Sequence, residues 1–361
     1  MDHSEALAEP AIRATVEAVL DAEGGAEPGR PRIREIAVEG RWAAVVLDAP
    51  GLPRAAVERV HAALGEAFPA AAFEIHADGR VFAGGRGVGP GRHVVAVLGG
   101  KGGVGKSTVA LNLALTLSAL GRPAGLIDAD LNAPDVPHLL GDRVAPPAEA
   151  PGAAWTIWTA DVVPPSRRPR PPTRLGIEAM SIGFLIPEHR PPARLRGPEV
   201  AALLRSLVFG MTWRADVLLI DAPPGTGDEL RAMAEQLPLS GALFVTTPQD
   251  LAQLDAGRTL TLLTEHGVPV IGMVQNMAFL VCPCCGEEIA LFPESTRLRD
   301  AGVPLLGTLP FDARLAAAAD RGTPLVLADA TGPVARRFAR IGAEVGRWLD
   351  AAGGEAGGGA V

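Results

Sequence analysis

The sequence predicts an α/β protein, with a mostly parallel sheet covered by helices on both faces and a small α+β domain in front of it. Three observations carry the prediction. From residue 93 onward, short and continuously apolar runs alternate with helical patterns, as strands buried on both faces of a parallel sheet require. Residues 1–83 have a different rhythm, with two adjacent strand patterns set between helical ones. Between the two regions, residues 84–92 read GGRGVGPGR, a glycine-rich linker and a natural domain boundary.

Taken in order, residues 6–20 pattern as a helix, 33–39 and 42–48 as paired strands, 53–68 as a helix and 72–76 as a short strand. In the larger domain, 93–350, buried strands are expected at 93–98, 124–127, 217–220, 242–246 and 268–274, with helices that include 106–120 and 250–266. Residues 143–173, rich in Pro, Ala and Arg, read as a long loop or insertion, and 351–361 as a flexible tail.

Composition narrows the function. The 361-residue chain is 48% hydrophobic and 20% charged, ordinary for a globular protein with two cores. A net charge of −8 argues against unspecific nucleic-acid binding. No stretch approaches the ~20 apolar residues of a membrane span, and the opening MDHSEALAEP lacks a signal-peptide pattern. No nucleic-acid or membrane partner and a cytoplasmic location are therefore expected. All three cysteines fall between 282 and 285, which suggests metal chemistry rather than a disulfide framework.

Gly100-Lys101-Gly102-Gly103-Val104-Gly105-Lys106-Ser107 fits the phosphate-loop pattern G-x-x-x-x-G-K-[ST], between a strand and a helix. Its glycines let backbone N–H groups curl around phosphate oxygens, and the helix N-terminus adds a favourable dipole. Lys106 is expected to reach the β- and γ-phosphates, and the Ser107 hydroxyl to bind Mg²⁺. The core is thus read as a P-loop NTPase fold. The second lysine, Lys101, resembles that of the deviant Walker A loops of nitrogenase iron protein, MinD and ParA. That resemblance implies a lysine reaching across a dimer to the partner's nucleotide.

Asp128, Asp130 and Asp221 follow apolar strands, at the carboxyl ends where an open α/β sheet places its ligands. Asp221 fits the Walker B position in the Mg²⁺ shell, and Asp130 is a candidate for orienting the attacking water. The bland reading, a capping or turn carboxylate, suits Asp128. Gly225 is a candidate to offer its N–H to the γ-phosphate, making 223–228 a switch loop. Sequence alone does not rank Asp130 against Asp221.

Cys282 and Cys285 stand in C-x-x-C spacing, which lets two thiolates converge on one metal centre, with Cys284 read as a bystander. A four-ligand site needs more than one chain supplies, so two chains giving two thiols each form a symmetric bridging site. On the cysteines alone, zinc is favoured over a cluster, and a redox dithiol is a third reading.

GGKGGVGKST, DAD, SIGFL, RGP, DAPPGTGD, TTPQD, QNM, CPCCG and LLGTLPFD occur in that order between 93 and 327. Together they resemble the Mrp/ApbC-type iron–sulfur cluster carrier ATPases. The resemblance implies a homodimer that binds and slowly hydrolyses ATP around the loop through Thr108. It implies a labile 4Fe–4S cluster held between subunits by Cys282 and Cys285 and handed to apo iron–sulfur proteins. It places Asn276 against adenine and likens 1–83 to a MIP18-like domain. Four departures stand out: Ala133 and Asp135 where the family has Gly and Ser, Leu195 where Trp is usual, and Pro293-Glu294-Ser295 after Phe292 where a glycine cluster is usual. These bear on the rate of hydrolysis.

Two other functions compete. A MinD- or ParA-like positioning ATPase would use the amphipathic segment 334–349 as a membrane-surface helix, although a helix packed on the sheet explains the same pattern. An ATPase with a structural zinc at the dimer interface would use the same cysteines.

Overall fold

The computed structural model describes residues 7–23, 31–48, 54–77, 80–84, 93–131, 133–141, 166, 168–184, 197–224 and 228–355. The expected linker from 85 onward, most of the 143–173 insertion and Gly225 lie outside these residues.

The first unit runs α1 (Glu9–Glu23), β1 (Arg32–Glu39), β2 (Trp42–Asp48), α2 (Arg54–Ala67), β3 (Ala72–Ala77) and β4 (Arg80–Gly84). Its four strands lie in the order β1-β2-β3-β4, with β2 and β3 parallel and both outer pairings antiparallel. Side chains alternate across a strand. Ala43, Val45, Leu47, Phe73 and Ile75 therefore share one face, where they pack with Ile12, Val16, Val57 and Leu64 of the two helices.

The second unit continues with β5 (His93–Gly99), α3 (Lys106–Ala119), β6 (Ala124–Asp128), α4 (Val136–Leu139), β7 (Thr173–Arg174), β8 (Ile177–Ser181), α5 (Gly197–Phe209), β9 (Val217–Asp221), α6 (Asp228–Gln236), β10 (Gly241–Thr246), α7 (Asp250–Glu265), β11 (Val270–Val281), β12 (Glu288–Ala290), α8 (Arg297–Asp300), β13 (Leu305–Pro310), α9 (Ala313–Arg321), α10 (Leu325–Ala328) and α11 (Pro333–Glu355). Its nine strands follow the order β12-β11-β10-β5-β9-β6-β8-β7, with β13 also on β11. The interior pairings are parallel; β7 on β8 and β12 on β11 are antiparallel. Every residue of β9 and β10 is buried, so both sheet faces are covered, as the apolar runs predicted.

Each strand and helix read from the sequence has a counterpart, with two shifts that matter. The strand expected at 268–274 continues to Val281, because a hairpin partner at Glu288–Ala290 extends it, and the cysteines sit in that hairpin's turn. The last helix runs to Glu355, five residues past the boundary expected for the tail.

The amphipathic C-terminal segment is not a free face. Val334, Phe338, Ile341, Val345 and Leu349 are buried in the main core. Burying such side chains stabilises by about 1.5–3 kcal/mol each, which lifting the helix onto a membrane would forfeit. No helix among the described residues is long and apolar enough to cross a membrane.

Candidate nucleotide site and cysteine hairpin

Strand register builds the site. Asp128 of β6 is directly opposite Ser181 of β8 on one side and Asp221 of β9 on the other, and Asp221 is opposite Val97 of β5. One row of side chains at the carboxyl edge of four parallel strands thus carries a hydroxyl and two carboxylates. Both carboxylates are 1% exposed, which leaves them no solvent to share their charge.

The phosphate loop follows β5 at the centre of the sheet. Gly100 packs so closely on α7 that an added Cβ would lie 2.4 Å from the Ala256 nitrogen. Gly105 adopts φ 82°, and a Cβ there would lie 2.3 Å from Asn276 Nδ2. Only glycine meets both demands. Helix α3 opens directly after Gly105 with no side-chain cap on its first N–H groups. Those donors and the helix dipole face outward, the arrangement that binds phosphate.

Lys106 donates to Asp221 Oδ1 at 2.5 Å. Asn276 Nδ2 donates to the Val104 carbonyl at 2.8 Å and so braces the loop from β11. The next residue, Met277, has φ 54°, and the β11–β13 register slips at this point. Non-glycine residues in that region cost energy that the surrounding fold must hold, and they concentrate at functional sites. Lys101 donates to Gln249 Oε1 at 3.2 Å within its own chain.

The electrostatics are lopsided. Burial, then the Asp221 charge, pushes Asp128 up to about 8, against donation from Val136 N and Ser181 Oγ. Burial also raises Asp221, with Lys106 and the Ser107 hydroxyl pulling the other way and Asp130 adding to the rise. Asp130 accepts from Ala133 N at 3.0 Å. One lysine thus faces three nearby carboxylates, a set short of positive charge, and the oxygen donors of Ser107, Asp221 and Asp130 suit a hard divalent cation. Asp128 matches its bland reading in part: it accepts from Ser181 Oγ (2.9 Å), Val136 N (3.1 Å) and Asp130 N (3.2 Å), which orders the loop holding Asp130. Its burial beside Asp221 was not legible, because the two are 93 residues apart and meet only through strand register. Ser181 lay within a recognised motif, but its role depends on the same register. Among the described residues only Leu175 and Met277 are non-glycines with positive φ.

The cysteines occupy the tip of the β11–β12 hairpin. Cys282 N donates to Glu287 O, Gly286 N donates to Cys282 O, and Gly286 turns the chain with φ 77°. Cys282 is partly exposed, and Cys284 and Cys285 are exposed. Donation to the Cys282 sulfur, from the Cys285 backbone first and then the Cys284 backbone, lowers its pKa and favours the thiolate that binds metals. No group of three or more His, Cys, Asp or Glu among the described residues is arranged to hold a metal ion. Leu280 and Ile289 face one another across the hairpin, 38% and 47% exposed. The opposite side is anchored: the Arg337 guanidinium stacks 4.6 Å from the Phe279 ring and pairs with Glu288 and Thr308. Nothing in the local sequence marked Arg337 for that task.

A parallel sheet with a glycine-rich loop, an uncapped helix start and a buried lysine–carboxylate pair defines a P-loop nucleotide-binding protein. Residues 91–346 match the family described as NUBPL iron-transfer P-loop NTPases, and the chain belongs to that family. It is similar to the iron–sulfur cluster carrier protein of Methanocaldococcus jannaschii, 37% identical over 243 residues that make up 66% of this chain and 79% of that protein. Among solved structures it is similar to a nucleotide-binding protein of Archaeoglobus fulgidus in complex with ADP: 31% identity, TM-score 0.54, covering 68% of this chain and 92% of that one. The Pyrococcus furiosus cell-division ATPase MinD shares the fold at 22% identity and TM-score 0.51, over 71% of this chain and 99% of that one.

Proposed function

We propose that the protein is a cytoplasmic carrier of iron–sulfur clusters that binds and slowly hydrolyses ATP and holds a 4Fe–4S cluster between two copies of the chain. In this reading Cys282 and Cys285 of each copy hold the cargo, and apo iron–sulfur proteins receive it. The observation that carries the reading is an exposed, anchored hairpin with two well-spaced thiols, half of a four-ligand set, beside an uncovered apolar face. A second copy supplies the missing ligands and covers Leu280 and Ile289. Family membership favours iron over zinc.

The nucleotide half works through this chain's own groups. The first N–H groups of α3 and the loop take the phosphates, and Lys106 leaves Asp221 for the β- and γ-oxygens. Ser107 and Asp221 hold Mg²⁺, and Asp130 orients water. Asn276 braces the loop and lies against adenine. Gly225 donates to the γ-phosphate. Lys101 swings from Gln249 to the partner's nucleotide, which couples nucleotide state to dimer geometry. The positioning-ATPase reading loses its support, because the face of α11 it needs is buried.

Anaerobic reconstitution with iron and sulfide tests the proposal. A broad absorption near ~400 nm, from thiolate-to-iron charge transfer, is expected together with a dimer on gel filtration. Tightly bound zinc with no such band would establish the structural-zinc alternative.

A further inference from the structure

The second face of the small sheet is formed by Trp42, Ala44, Val46, Ala72 and Glu74, all 5% exposed or less. The two helices of that domain lie on the other face. Among the described residues, Arg168 of the nucleotide-binding domain reaches this one. Arg168 donates through Nη1 and Nη2 to the two Glu74 oxygens at 2.8 Å each, and its guanidinium stands 5.5 Å over the Trp42 ring. Ser166 donates to Glu39 through its backbone N–H (3.1 Å) and its hydroxyl. At the sheet's edge, β4 lies against α6.

Both anchoring elements lead to the nucleotide site. Helix α6 begins at Asp228, the last residue of the 223–228 loop that follows Asp221. The segment carrying Arg168 is tied to the main domain by donation from Thr212 N to Pro169 O and from Ala179 N to Pro172 O, both 2.9 Å. Two residues past Ala179, Ser181 donates to Asp128. The form of the contact also matters. Apolar surfaces alone tolerate sliding, whereas a buried two-pronged Arg–carboxylate pair is satisfied in one orientation and is costly to leave half-made. A passive tether has no use for such a latch.

We propose that the small N-terminal domain is a built-in regulator, latched through Arg168, Glu74 and Trp42 onto the two elements that lead to the nucleotide site, so that docking and nucleotide state control one another. This rests on the nucleotide reading above. Linkage makes the control reciprocal: whatever nucleotide does to docking, undocking does to nucleotide affinity, typically by about 5–150-fold.

Hydroxyl-radical footprinting of the full chain tests it, with Trp42 oxidation read by mass spectrometry against Trp213, which is buried in the main domain. Wild-type protein is expected to show Trp42 oxidation that differs at least ~5-fold between Mg-ADP and a non-hydrolysable Mg-ATP analogue, the lower end of such coupling. Arg168→Ala should raise Trp42 oxidation about tenfold, remove its nucleotide dependence and shift nucleotide affinity in calorimetry by ~5-fold or more. Arg168→Lys keeps the charge but not the fork and should show the same effects more weakly, which guards against a variant that misfolds. Nucleotide bound in calorimetry with Trp42 oxidation unchanged between states overturns the regulation and leaves the nucleotide reading intact. So do both variants with undocked domains and wild-type affinity. Wild-type protein that binds no nucleotide overturns the nucleotide reading, and the linkage falls with it.

Discussion

The phosphate loop and the cysteine hairpin lie in one domain and are built on opposite terms. Around the loop, side chains are enclosed and engaged: Lys106 on Asp221, Asn276 on Val104, Ser181 on Asp128. Around the cysteines, thiols and apolar side chains face outward, and only the far side of the hairpin is pinned, by Arg337. The difference teaches that the described chain encloses most of the groups proposed for nucleotide, whereas the thiols stand open, as half of a ligand set would in the proposed reading.

The largest expected effect breaks the enclosed site. Lys106→Ala removes the cation paired with Asp221 and, in the proposed reading, the group that meets the phosphates, and phosphate release should fall by about 100-fold or more, the scale of losing one preorganised charge contact. Unchanged phosphate release would take the loop out of the mechanism.

The open site should fail independently. Cys282→Ser or Cys285→Ser should empty reconstituted protein of iron, while Cys284→Ser keeps it; nucleotide affinity should be unaltered in all three. Equal iron loss from all three variants would mean that Cys284 is a ligand.

A subtler variant separates assembly from folding. Ile289→Asp places a charge on the exposed hairpin face, so sedimentation should show a monomer while the melting temperature moves little, since exposed positions usually change stability by about 0.5 kcal/mol or less. A dimer as tight as wild type would move the subunit interface elsewhere.

The smallest effect sharpens the enclosed side. Asp128 is held near 8 in the folded protein by burial and the Asp221 charge, above its ordinary 3.8. Between those values the folded state holds a proton that the unfolded state has released. The group's contribution is therefore full at low pH and is lost as pH rises from about 4 through 8. In Mg²⁺- and nucleotide-free protein, the melting temperature of Asp128→Asn should fall less steeply than that of wild type between pH 5 and pH 9 in thermal scans. Parallel profiles would place the ionised carboxylate in the folded state throughout.

Much of both sites is legible in the sequence because their signals are local. Lys106 and Ser107 are recognisable from glycine spacing, and Cys282 and Cys285 from their separation along four residues. Helix α11 shows its buried face in its periodicity, but not whether sheet or membrane covers it. The loop's dependence on Asn276, 172 residues from Val104, leaves no local pattern. Neither does the anchoring of the hairpin by Arg337.

The sequence by itself determined the strands, the phosphate loop and the paired thiols, because backbone periodicity and short spacings act over a few residues. Only the tertiary structure decided that Asp128 and Asp221 share one buried row, that α11 packs on the sheet, and that Glu74 meets Arg168. Those contacts join residues tens to hundreds of positions apart, and strand register and packing, not local propensity, bring them together.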